Sequence, residues 1–141
     1  MGLFSFLRKK PKTIWDEIEN NPAFREQRAL FEAMKNLCED GVDADELPGG
    51  NGEYGYSPSN PIPCHTVFGT TSFLAHLRIL DGSRIRYERI GSQTSDISQY
   101  PIDAYRISSE NGTEVAVLYF SPYQKRNSHR PPRNFHLDNM V

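Results

Sequence analysis

The sequence predicts an α+β fold, in which an N-terminal amphipathic helix packs on a C-terminal antiparallel β-meander of three or more strands. Three observations lead there. Apolar residues recur at three- and four-residue steps from Ala23 to Cys38, the spacing of one helix face. Three later segments, 84–90, 102–108 and 114–120, alternate or run apolar as strands do. Between the last two stands Asn111-Gly112, a strong hairpin signal because both turn positions need a positive φ.

Size and composition limit the alternatives. The chain has 141 residues, 37% of them hydrophobic, with a formal net charge of -2 and a mean hydropathy of -0.63. That is the size of one domain. No run approaches the roughly 18 apolar residues of a membrane span. Cys38 and Cys64 are the only cysteines, too few for a disulfide scaffold, and nothing reads as a secretory leader. A reducing cytoplasm is the expected compartment.

Taken in order, residues 1–12 form a leader in which Leu3, Phe4 and Leu7 precede Arg8-Lys9-Lys10. Those three apolar residues can share a helical face and touch a membrane surface, but a loosely held terminus is the simpler expectation. The single α+β domain then covers 13–141. Thr13 reads as a helix cap with Asp16 and Glu17 in the first turn. Asn21 recaps the chain, and Pro22 takes the first position of a helix over 22–38 that ends near Gly41.

Residues 40–63 change character, from Asp40, Asp43, Asp45 and Glu46 through Gly49-Gly50-Asn51-Gly52 to three prolines. The reading is a long loop, of the kind that is often functional. Residues 69–80 admit two readings: Phe73, Leu74 and Leu77 fit a short helix, the one favoured, while Leu77, Ile79 and the Asp81-Gly82 turn fit a hairpin arm. The last segment, 121–141, reads as an extended basic tail.

The strands have a natural register. A two-residue turn at Asn111-Gly112 sets Glu110 against Thr113, Ile107 against Ala116, Tyr105 against Leu118 and Asp103 against Phe120. Matching the apolar faces sets Ile85 against Ile107, Tyr87 against Tyr105 and Arg89 against Asp103. The apolar face so formed is the expected seat of the 22–38 helix.

The other face is less ordinary, because this register places Arg86 directly across from Arg106, with Arg84 two positions away. Like charges in opposed positions destabilise a sheet unless something neutralises them. Glu88, diagonal to Arg106, is one neutraliser. An anionic partner is the other, with Val115, Val117 and Tyr119 supplying apolar and aromatic contact. Arg84, Arg86, Arg106 and Tyr119 are therefore candidate partner- or anion-binding residues. Arg89 and Ser92 join them from the apolar side, where Arg89 pairs with Asp103.

Charge is segregated. Residues 13–53 hold 11 acids and three bases, whereas 54–141 hold nine bases and seven acids. An acidic segment of this kind either folds back on basic residues or engages a basic target. Lys125, Arg126, Arg130 and Arg133, dotted among Tyr123, His129, Phe135 and His136, raise nucleic-acid contact as a minor reading.

Other patterns lead nowhere. Residues 50–55 match G-x-G-x-x-G, yet Ser57-Pro58 prevents the helix that motif requires. Leu47 falls where a calcium loop needs a ligand. Cys64 and His65 are neighbours that point to opposite sides of an extended chain, so a nucleophile–base pair requires Cys64 to meet His76, His129 or His136 in space. No metal or cofactor is expected.

Gly52-Glu53-Tyr54-Gly55, Asn60-Pro61-Ile62-Pro63, Arg89-Ile90-Gly91-Ser92, Asp103-Ala104-Tyr105, and Tyr123 with Arg126 and Ser128 resemble a group of short uncharacterised bacterial proteins. Cys64 departs from the aliphatic residue expected in that group. The resemblance implies a bacterial, cytoplasmic setting and no particular reaction. The functional expectation is a non-enzymatic protein-binding module that engages a partner protein through its charged sheet face and long loop. An immunity-type protein neutralising a bacterial toxin is one form of it. The rival is a small enzyme whose cleft uses Arg89, Ser92 and Asp103, or Cys64 with a histidine.

Overall fold

A computed structural model describes residues 21–138; the 1–12 leader and the helix start at Thr13 lie outside the described residues. The chain divides into two units, Met1–Ala33 and Met34–Val141.

Helix α1 spans Pro22–Asn36. Its start is the one expected: the Asn21 carboxamide oxygen accepts the Ala23 N–H at 2.9 Å, with Pro22 occupying a position whose N–H needs no partner. The expected apolar stripe is present, but α1 contains no buried residue. Phe24 and Leu30 are 42% and 60% exposed.

The second unit contains β1 (Ile62–Pro63), α2 (Thr66–His76), β2 (Leu77–Ile79), β3 (Ile85–Ser95), β4 (Ser98–Ser109), β5 (Glu114–Ser121) and β6 (Phe135–Leu137). Four strands form one sheet in the order β1-β5-β4-β3, antiparallel except for the short parallel pairing of β1 with β5. β2 and β6 make a separate two-stranded ribbon. The α+β class is therefore as expected.

Within the second unit the apolar face is covered by α2: the core cluster joins Tyr105, Ile107, Leu118 and Phe120 of the sheet to Phe73, Leu74 and Leu77 in and just after α2. Phe120 lies at the centre, edge-on to Phe73 at 5.7 Å and to Tyr105 at 5.4 Å between ring centroids. α2 has weak intrinsic reason to be helical, being rich in Thr and containing Gly69. Burial of Thr66, Thr70, Phe73 and Leu74 along one side holds it instead, with the Thr66 hydroxyl accepting the Phe68 N–H at 3.2 Å. Helical periodicity in 22–38 identifies a helix but not what its stripe meets.

The β4–β5 pairs Ile107–Ala116, Tyr105–Leu118 and Asp103–Phe120 are those expected. Their connection is one residue longer than a two-residue turn. Ser109, not Glu110, faces Thr113, with the Ser109 N–H donating to the Thr113 oxygen at 2.8 Å. Gly112 follows the turn at φ +89°, which makes a three-residue loop closed by a bulge.

β3 and β4 are displaced by two residues from the expected register. Tyr87 faces Ile107, Arg89 faces Tyr105, and Arg86 faces Ser108. A shift of two returns every side chain to the same face, so alternation alone does not distinguish the two registers. A bulge at Ile90, between the Arg89–Tyr105 and Gly91–Ala104 pairs, adds one further residue to the displacement beyond it.

The segments expected to be a free loop and an extended tail are stitched together. Arg126 bridges Asp43 at 2.5 Å and Asp45 at 2.8 Å, Arg130 pairs with Glu46, and Arg133 pairs with Glu53 at 2.6 Å. The His129 N–H and then Arg126 hold the Asp45 carboxyl below its ordinary pKa. Tyr54 buries its ring in the core and shares a 2.7 Å hydrogen bond with the Ser128 hydroxyl. Asn127 clips the start of α2, accepting the His65 N–H and donating to the Gly69 oxygen, both at 2.8 Å. The acidic segment thus folds back on the tail and not on the sheet arginines. These pairs are partly exposed, so their individual worth is small. Together they fix the path of both segments.

Candidate functional site

The outward face of the sheet does not oppose two guanidinium groups. In the observed register Glu88 stands directly across from Arg106. Arg106 is held between two carboxylates, Glu88 at 3.6 Å and Glu114 at 3.1 Å. This corrects the expectation that Arg106 faces Arg86 and recruits an anion: its charge is already met within the chain. Tyr119 is half-buried on β5, across from Ala104. β5 lies two strands from β3, so Tyr119 is not brought beside Arg84 and Arg86.

Arg84 and Arg86 remain. Both are exposed, and among the described residues neither forms an ion pair. The other arginines of the second unit behave differently. Arg78 pairs with Asp138, Arg89 with Asp103, Arg106 with Glu88 and Glu114, Arg126 with Asp43 and Asp45, Arg130 with Glu46, and Arg133 with Glu53. The two unmatched guanidinium groups lie at the start of β3, the terminal strand of the sheet. β3 is 11 residues long and contains no buried residue. Only its entry is touched from outside, by a single bridge between Arg78 and Arg84. Among the described residues no strand pairs with its outer side beyond that point. An open edge of this length offers backbone N–H and C=O groups to an added strand.

Arg89 and Asp103 do meet, though diagonally and not directly across the ladder. The Arg89 guanidinium donates to the Asp103 carboxylate at 3.0 Å, with side-chain exposures of 54% and 7%. Ser92 is the residue across from Asp103, and it is exposed. Tyr123 lies within electrostatic reach: burial chiefly, and then the Asp103 charge, push its hydroxyl pKa up, while Arg89 opposes them. A buried carboxylate needs such a partner, so the pair has a structural purpose whether or not a ligand meets Arg89.

Cys64, the candidate nucleophile of the enzyme rival, lies in the core. Cys64 is wholly enclosed, and burial pushes its thiol pKa up to about 12. The thiolate needed for attack is scarce at neutral pH. His65 turns its ring to the Gln124 carbonyl and His76 to the Ser72 carbonyl. Cys38 is also buried, and its pKa is raised for the same reason. Neither thiol is expected to react with a thiol reagent such as Ellman's reagent at pH 8 until denaturant is added; rapid labelling of either in the native protein would contradict this geometry.

The basic tail, for which nucleic-acid contact is only a minor reading, spends Arg126, Arg130 and Arg133 on the acidic loop, which leaves little free charge there for phosphate. Among the described residues no group of three or more His, Cys, Asp or Glu side chains gathers to hold a metal ion, and no helix is long and apolar enough to cross a membrane. Comparison of the chain with known families, with curated proteins and with solved structures finds no match.

Proposed function

We propose that this chain is a protein-binding module that takes an extended acidic segment of a partner protein along the open edge of β3. One observation carries the proposal: among the described residues Arg84 and Arg86 form no ion pair, whereas the other arginines of the second unit do. Strand addition supplies backbone hydrogen bonds that are indifferent to sequence. The two guanidinium groups supply the preference for carboxylates, and Tyr87 and Ile90, exposed at 42% and 40%, add apolar contact. The long loop is a brace for the fold in this reading and not a second contact surface.

The test uses a synthetic eight-residue peptide of alternating Glu and Val, titrated into isotope-labelled protein, with a Lys/Val peptide as control. Amide shifts are expected along 85–95 with the acidic peptide. Arg84→Glu with Arg86→Glu is expected to weaken binding by about tenfold or more, each lost charge contact costing roughly 1 kcal/mol, and to leave the melting temperature nearly unchanged. Equal binding of both peptides, or shifts confined to another surface, would defeat the proposal.

A further inference from the structure

A cavity of about 260 Å³ opens on the side of the second unit where residues 37–48, the β3–β4 turn with the start of β4, and residues 123–124 converge. It is independent of the β3 edge. Its volume falls just below the ~300 Å³ at which drug-sized sites begin, so its occupant is a small molecule.

The lining states the chemistry of that occupant. Val42, Leu47 and Ile97 give aliphatic walls, and Tyr100 and Tyr123 give an aromatic one, their ring centroids 4.8 Å apart at an interplanar angle of 42°. Among the described residues the only charged one lining the cavity is Asp40; no Lys, Arg or His contributes. Asp40 also differs from the acids that follow it. Asp43, Asp45, Glu46 and Glu53 all have arginine partners, whereas Asp40 has no ion pair among the described residues. Tyrosine faces attract cations through their negative ring quadrupole, a carboxylate adds to that attraction, and aliphatic walls favour an apolar body.

The wall carrying Asp40 is fixed in place. The Val42 N–H donates to the Gln124 side-chain oxygen at 2.7 Å, and the Lys125 N–H donates to the Val42 carbonyl at 2.9 Å. Gly41 lies so close to the tail that a Cβ there would stand 2.3 Å from the Tyr123 oxygen. A wall held this way needs little ordering when a ligand arrives.

We infer that this cavity is a binding site for a small organic monocation, an amine or quaternary ammonium with an aromatic or compact aliphatic body. The probes are benzyltrimethylammonium, neutral benzyl alcohol and anionic benzoate, each titrated into the full chain and followed by amide shifts. The cation is expected to bind about tenfold more tightly than the alcohol, the scale of one cation–π contact with a nearby charge, and benzoate more weakly than either. Shifts are expected at Gly41, Val42, Ser98 and Tyr100. Asp40→Asn, an exposed substitution that leaves the fold intact, is expected to remove most of the cation's advantage, and Tyr100→Leu, which keeps the apolar volume, to weaken the cation more than the alcohol. Equal affinity for cation and alcohol, undiminished cation affinity in Asp40→Asn, or shifts that map elsewhere would overturn the inference.

Discussion

Phe120→Ala is expected to destabilise the protein by about 3–5 kcal/mol, the usual cost of deleting a large buried ring. Phe120 is fully buried and touches Phe73 from the covering helix and Tyr105 from the neighbouring strand. Its removal therefore opens a cavity between two layers that cannot both collapse into it. The matched substitution in α1, Leu30→Ala, removes a side chain that is 60% exposed and is expected to change stability by no more than about 0.5 kcal/mol. Urea unfolding measures both. A large cost at Leu30 with a small one at Phe120 would place the core over α1, where the amphipathic pattern of the sequence suggests it.

Gly41→Ala is the second substitution of large effect, at about 3 kcal/mol, the upper end of ordinary overpacking. The added methyl would lie 2.3 Å from the Tyr123 oxygen and 2.5 Å from the Gln124 Cα. Both are backbone atoms of a segment already pinned by hydrogen bonds to Val42, so neither can rotate away. Gly112→Ala is the control. Gly112 has φ +89° with no atom within 4 Å of a Cβ, so only the left-handed backbone is penalised, at about 1 kcal/mol. Comparable losses at the two glycines would mean that the 41–42 segment is free to move away from the tail.

The fold was readable wherever the signal was local. Asn21-Pro22 marks a helix start because cap and first-turn geometry are decided by two neighbouring residues. Asn111-Gly112 sets the β4–β5 register for a similar reason, and a bulge at Val115 offsets the extra loop residue, so that the pairs at Ile107, Tyr105 and Asp103 are unaltered. The β3–β4 register had no such anchor. Its turn, at Asp96-Ile97, carries neither Gly nor Asn, and a two-residue displacement keeps the apolar faces intact. The opposition of Arg86 and Arg106 followed from that unanchored register, and the observed ladder replaces it with Glu88 against Arg106.

Long-range pairing was legible only as a tendency. Segregation of acids into 13–53 and bases into 54–141 shows that the halves attract, but not that Asp43, Asp45, Glu46 and Glu53 find Arg126, Arg130 and Arg133 across about 80 residues of chain. Once those pairs form, Arg84 and Arg86 become conspicuous by remaining outside them. The cavity beside Asp40 had no sequence signal, since its walls come from segments that are well separated along the chain and none carries a motif. Helix α2 was half legible: 69–80 favours a helix followed by a turn, yet Thr-rich 66–72 conceals its start. Its burial, not its propensity, makes it the cover of the core.

The placement of β3 against β4 neutralises Arg106 and, among the described residues, leaves Arg84 and Arg86 without an ion pair. Cross-strand nuclear Overhauser contacts from Arg106 measure it directly. The expected result is contact with Glu88 on one side and Val117 on the other, and contact between Tyr87 and Ile107 one rung along. Backbone contact of Arg106 with Arg86 directly across the ladder, in place of Glu88, would contradict it.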